Sequence, residues 1–432
     1  APVRLWRLMR QLANKHIEQR DMSNPHAVYD EFGIFQDTVN YDRLLDLSSQ
    51  SFLDYNLRNK LGADALDWID VDNLDPSTFS IDMFSPDELL SNGVGSYVSY
   101  YGYDYTGKIL DHKPSFEDFF TAKDDYGNYK REIGAFEPIY IAGYIQDKFS
   151  FDDLIFNIGL RVDRFDANQK VLKDEFSLFE TKSVSEVTSL GGNAIIHPSN
   201  MGYDYVVYVN DIQNPTTVVG YRNGSTWYNA EGTEISDPTI LETPSGIAPS
   251  LVDPNDKEVK ASAFKDYEPQ TNFMPRISFS FPVSDEALFF AHYDVLTSRP
   301  VNGIRFDPTN YLFMQYITGY IDNPSLRPEK TIDYELGFQQ KLSSSSSLKF
   351  SAYYKEMRDQ IQLYRYIDAY PVSYKSYKNI DFGTVKGATI TYDLRRTSNV
   401  WLKAYYTLQF ADGTGSNATS GFNLINSGQP NL

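Results

Sequence analysis

Between residues 139 and 408 the chain repeatedly alternates apolar and polar positions. Leu154, Phe156, Ile158, Leu160 and Val162 fall on one side of such a stretch, with Asn157, Gly159, Arg161 and Asp163 on the other. Successive side chains of a strand point to opposite faces, so this period predicts strands with one greasy face and one charged face. Eight stretches share it and pair off as 139–151 with 154–165, 277–283 with 289–295, 332–338 with 348–354, and 388–394 with 400–408. The joints within a pair are two to five residues, at 152–153, 284–286, 343–347 and 397–398. The joints between pairs are long, at 167–271 and 297–331, or of medium length, before Ala388.

Apolar toward lipid, polar toward a lumen, with short turns at one rim and long loops at the other, is the pattern of an outer-membrane barrel wall. The expected fold is therefore all-β: part of a large antiparallel transmembrane β-barrel, about eight strands of it, with long extracellular loops containing some helix. Residues 1–137 are expected to form a loop excursion opening on an amphipathic helix, since Leu5, Leu8, Leu12 and Ile17 recur at helical spacing. Residues 138–411 supply the wall, interrupted by an insertion at 167–271, and 412–432 begin a further loop. Short turns are expected at the periplasmic rim, and 1–137, 167–271 and 297–331 outside. In the insertion, Asn223-Gly224 predicts a small hairpin with a primed turn. One position resists the scheme, because if Phe149 and Phe151 face lipid then so does Asp147. A bulge would re-aim it, and a place near the membrane interface would make the charge cheap.

Composition narrows the classes. Aromatic residues are 15% of the 432, high for a globular enzyme and expected where Tyr and Phe form interfacial girdles. Mean hydropathy is −0.44, with no apolar run long enough for a transmembrane helix, a test that a barrel strand does not have to pass. The net charge of −19 argues against nucleic acid, whose phosphates require a basic patch. The absence of cysteine excludes disulfide frameworks, thiolate catalysis and Cys-based metal sites. With neither an initiator Met nor a signal peptide, the chain reads as an internal piece of a longer exported polypeptide.

The segment Asn323-Pro324-Ser325-Leu326-Arg327-Pro328-Glu329, followed by Tyr334-Glu335-Leu336-Gly337, resembles a signature in the barrels of TonB-dependent outer-membrane receptors. Residues 144–149 (Tyr-Ile-Gln-Asp-Lys-Phe), 159–165 (Gly-Leu-Arg-Val-Asp-Arg-Phe) and 353–359 (Tyr-Tyr-Lys-Glu-Met-Arg-Asp) are similar to the same family, especially its Bacteroidota members. The opening 2–12 resembles a loop of that subgroup, whose members often carry an N-terminal carboxypeptidase-regulatory-like domain. The resemblance implies a plug domain and TonB as partners, both in sequence absent here, and a wall in contact with outer-membrane lipid. It also implies ligand capture at external loops and uptake powered through TonB. Many members have Gly-x-Glu where this chain reads Gly387-Ala388-Thr389. Pro324 and Pro328 suppress ladder bonding as the chain approaches the sheet. Arg161, Asp163, Arg276, His292, Asp333 and Glu335 are expected to face the lumen or the plug.

Candidate chemistry is sparse. The five histidines lie far apart with no metal spacing, and no Gly-x-Ser-x-Gly elbow appears, so no enzyme is expected. Asp70, Asp72 and Asp75 space oxygen ligands in a way calcium could use. They lack the loop glycine and bidentate Glu of an EF-hand, which favours a solvated acidic turn. The Tyr97 to Tyr105 run suits packing in a loop core better than stacking on a ligand. Two rival readings accompany the transporter. One is a non-transporting, receptor-like scaffold that docks surface lipoproteins or other outer-membrane subunits on its enlarged loops. The other, a soluble β-rich binding module, leaves the asymmetry of the joints unexplained.

Overall fold

In a computed structural model, residues 2–17, 19–20, 25–40, 43–44, 46–65, 67–90, 96–244, 246–300, 303–413, 415 and 417–426 are described. The rest of the expected terminal loop, 427–432, lies outside them. The chain divides into two compact units, 1–135 and 136–432.

In the first unit, α1 (Pro2–Leu12) and α2 (Phe52–Leu61) bury Leu8, Met9, Leu53 and Leu57 against Ile69, Val71, Met83, Phe84 and Leu89. The expected helix is present: Leu8 and Met9 are buried and Leu12 packs against the same core. Leu5 is exposed, and Ile17 is buried from a separate helical turn because Asn14 takes a left-handed φ of 60° that ends the helix. Ser51 caps α2 by accepting from the Asp54 N–H at 3.0 Å, and Gly62 closes it at φ 66°. Asp54, fully buried one turn into α2, takes hydrogen bonds from Arg58 Nε (2.8 Å), the Asn14 N–H (2.8 Å) and Gln50 Nε2 (2.8 Å). The Tyr-rich run packs as expected: Tyr97 and Tyr105 lie against this core, and Tyr100 is buried with its hydroxyl donating to the Arg131 carbonyl at 3.0 Å.

The second unit is built on one eight-stranded antiparallel sheet: β1 (Ile139–Phe151), β2 (Leu154–Asp166), β3 (Gln270–Ser284), β4 (Ala287–Ser298), β5 (Glu329–Lys341), β6 (Ser346–Tyr366), β7 (Tyr374–Thr397) and β8 (Val400–Gly413). Each strand pairs only with its sequence neighbours, an up-and-down meander. Residues opposite one another share a face, so the register traces an apolar row through Phe149, Phe156, Phe279, Ala291, Leu336, Ala352, Ala388 and Leu408. Nearer the short turns runs an aromatic row, Phe281, Phe289, Phe338 and Phe350. Asp147 lies opposite Ile158 in an unbroken β1–β2 register, so no bulge re-aims it and its carboxylate stays on the apolar face.

Two elements depart from expectation. The stretch expected as a medium loop before Ala388 is a continuous hairpin: β6 and β7 run to 21 and 24 residues and continue past their neighbours, with a register shift between Met357 and Ile361. The second departure concerns the insertion, which is a folded module. Its base is zipped by 170–172 pairing with 264–266, and it carries a four-stranded sheet with strands Val206–Val209, Val218–Asn223, Thr226–Asn229 and Glu234–Ile235. The expected hairpin is there, its two-residue turn falling at Gly224-Ser225 with Gly224 at φ 56°. Its aromatic core, Phe176, Tyr208 and Trp227, closes over Tyr366 and Ala369 at the tip of the long hairpin.

Candidate functional site

The polar face of the sheet is a lattice of charges set by register. One row runs Gly159, Arg276, Asp294, Asp333, Lys355. Arg276 Nε lies 2.9 Å from Asp294 and Lys355 Nζ lies 2.9 Å from Asp333, so two adjacent carboxylates are flanked by two cations. The next row places His292 3.6 Å from Glu335, with Lys349 at 4.0 Å on the other side. Toward the long-loop rim, Arg161 Nε pairs with Asp163 at 2.8 Å, and Tyr140 donates its hydroxyl to the same carboxylate. All six residues singled out for this face therefore lie on it, in three clusters. Of their partners, Asp294 is placed on this face by alternation alone, beside His292; the pairings with Lys349, Lys355 and Tyr140 are not, because alternation reveals the face and only register reveals the neighbour.

Two glycines let aromatic side chains lie flat on this face. A Cβ on Gly337 would stand 2.2 Å from Phe290 Cζ, and one on Gly387 would stand 2.6 Å from Tyr353 Oη. Tyr353 reaches across Gly387 to donate to Gln409 at 2.7 Å. The Gly387-Ala388-Thr389 departure thus keeps the glycine, and Thr389 bonds Thr407 at 3.0 Å.

The Asn323–Glu329 signature is a strap across the long hairpin. Asn323 Nδ2 donates to the Tyr377 carbonyl (2.8 Å), while its Oδ1 accepts from the Ser325 N–H (2.9 Å) and so closes a turn. Leu326 is fully buried. The Arg327 N–H donates to Asn379 Oδ1 (2.8 Å), and Asn379 Nδ2 returns bonds to the carbonyls of Arg327 (2.9 Å) and Asp359 (2.6 Å). Asp359, at φ 56° in the register shift, pairs with Arg327 Nη2 at 2.7 Å. Glu329 Oε1 accepts from the Ile361 N–H (3.1 Å), occupying a donor at the same break in the ladder. Pro324 and Pro328 bracket the strap, and β5 begins at Glu329.

Asp70, Asp72 and Asp75 do not converge. Asp70 accepts from the Asp72 N–H at 3.1 Å, Asp72 pairs with Arg10 at 2.7 Å, and Asp75 accepts from the Ser77 N–H at 2.8 Å. Among the described residues no group of three His, Cys, Asp or Glu side chains is placed to hold a metal ion. His16, His112, His197 and His292 are scattered over separate elements, and the His26 side chain lies outside the described residues.

A family model described as "TonB dependent receptor-like, beta-barrel" matches residues 11–430. The chain belongs to the TonB-dependent receptor-like β-barrel family. It therefore forms part of an outer-membrane barrel wall. None of the curated proteins compared with it matches. Solved structures similar to this receptor chain include the FrpB iron transporter from Neisseria meningitidis (11% identity, TM-score 0.30, 64% of this chain and 26% of that one). The hemophore receptor HasR of Serratia marcescens is 12% identical, with TM-score 0.33, over 66% of this chain and 35% of that one. The outer membrane transporter YddB from Escherichia coli is 10% identical, with TM-score 0.32, over 70% and 38%. The receptor chain thus spans well under half the length of these structures.

Proposed function

We propose that this chain supplies eight wall strands and much of the ligand-capturing surface of a transporter that moves a scarce solute across the outer membrane, driven by TonB acting on a plug. The observation that carries this is the sheet itself, with an unbroken apolar row on one face and a ladder of paired charges on the other. A plug seated in the lumen would meet Arg276, His292, Asp333 and Glu335, where water or plug groups share the solvation of these ions. The four tight turns belong at the periplasmic rim, and 1–137, the insertion and 299–328 outside. The Bacteroidota subgroup, with its carboxypeptidase-regulatory-like domain, is the branch that segments 144–149, 159–165, 353–359 and 2–12 favour.

The scaffold reading draws on one feature, the insertion with its own core, which offers a ready docking surface for a lipoprotein or another outer-membrane subunit. Uptake of candidate solutes by cells carrying the complete receptor separates the two. Accumulation that disappears when TonB is deleted supports transport. Accumulation that is equal with and without TonB sinks it.

A further inference from the structure

Where β6 and β7 leave the wall, Arg365 and Lys375 lie directly opposite each other. Like charges in opposed positions of an antiparallel pair repel. Among the described residues neither has a carboxylate partner, although acidic side chains outnumber Lys and Arg by 58 to 39. The wall cations Arg276 and Lys355, by contrast, are both paired. Among the described residues Lys375 Nζ is approached by the ring of Phe422 at 5.4 Å, a contact that carries no counter-charge.

The two cations line a cleft of about 280 Å³ together with Ser373, Tyr374 and Phe422. Its wall is fixed: the Ile321 N–H donates to the Lys375 carbonyl at 2.8 Å, and Ser376 Oγ donates to the Ile321 carbonyl at 2.7 Å. The last β5–β6 pair is Lys330 with Arg358, so Arg365 stands seven residues farther out, roughly 20 Å at strand rise.

We infer that this cleft binds a small anionic solute, its carboxylate or phosphate group bridging the Arg365 guanidinium and the Lys375 ammonium while Ser373 donates a hydrogen bond. Arg365 presents a planar fork and Lys375 a point charge, the pairing that suits an oxyanion. The anion converts the repulsion into two charge-assisted contacts. Calling the anion the receptor's cargo rests on the transporter reading; the binding itself does not.

The test uses the complete receptor in detergent, as wild type and as R365Q, K375Q and the double variant, titrated with citrate and with inorganic phosphate. Wild type should bind at least one anion saturably, with affinity falling at least tenfold in the double variant, less in each single variant, and also on raising salt. Without ligand the double variant should melt at the same temperature as wild type or higher, because a repulsion has been removed. A residue that merely holds the fold together would move the melt the other way. Equal affinity in wild type and double variant overturns the inference, as does failure of both anions to bind. Adsorption only to lipid A vesicles overturns it too, by assigning the cations to the membrane surface. TonB-independent uptake with intact anion binding would defeat the transporter reading and leave the site standing.

Discussion

Asp54 shows what one buried carboxylate costs and holds. Burial raises its pKa, but the hydrogen bonds from Arg58, Asn14 and Gln50 outweigh that and leave it below the ordinary carboxylate value. A folded-state pKa below the unfolded one contributes stability that is present above the unfolded value and lost as pH falls through the folded one. The first unit should accordingly loosen in acid. Asp54→Asn keeps the shape but leaves the buried Arg58 guanidinium without its counter-charge, a loss of about 3–5 kcal/mol. Hydrogen exchange of residues 52–58 in the full chain should report that drop in local opening free energy; a loss under about 1 kcal/mol would show the carboxylate to be dispensable.

At the scale of elements, the strap explains why two stretches that resemble the family separately, 323–329 and 353–359, belong to one device. Asn379 joins them through three hydrogen bonds to backbone groups of Arg327 and Asp359. Asn379→Ala should cost about 1–3 kcal/mol by orphaning those groups. Backbone amides at 327 and 359–361 should then exchange faster, with the wall strand 332–338 unchanged; unaltered exchange at 359–361 would remove Asn379 from the role. Period two is readable from the order of apolar and polar residues, which is why β1 to β5, the wall halves of β6 and β7, and β8 are legible in the sequence. The outer half of β6 and β7 is not, because beyond Met357 the hairpin is covered by the insertion on one side and the strap on the other, so no clean alternation survives. The strap's partners were hidden for a related reason: Arg327 and Asn379 meet across 52 residues, and no local pattern encodes that.

Over the whole chain, protonation pulls on different parts in opposite directions. Asp368, buried at the tip of the long hairpin, has its pKa pushed up to about 6 by burial and then by Glu242 and Asp237 of the insertion. A folded pKa raised above the ordinary 3.8 gives stability that is fully present below 3.8 and lost as pH rises through 6. The insertion should therefore grip the hairpin more firmly at pH 5 than at pH 7.5, while acid loosens the first unit. Proteolysis within 238–242, rate-corrected for the protease, should slow at pH 5 in wild type and lose that dependence in Asp368→Asn. Equal pH dependence in both would refute the assignment.

The zipped base of the insertion changes how the wall meets its entropy. Bringing β2 beside β3 across roughly 100 free residues would cost about 3.5 kcal/mol more chain-closure entropy than a two-residue turn. The pairing of 170–172 with 264–266, with Lys170 and Asp266 in contact at 2.7 Å, forms a separate two-stranded stem a few residues beyond the last β2–β3 pair, Phe165–Gln270. Once the module has folded, its stem holds the two wall strands at ladder spacing. The closure is then met by burial inside the module, and the wall carries the insertion without lengthening any joint that its own pairing must close.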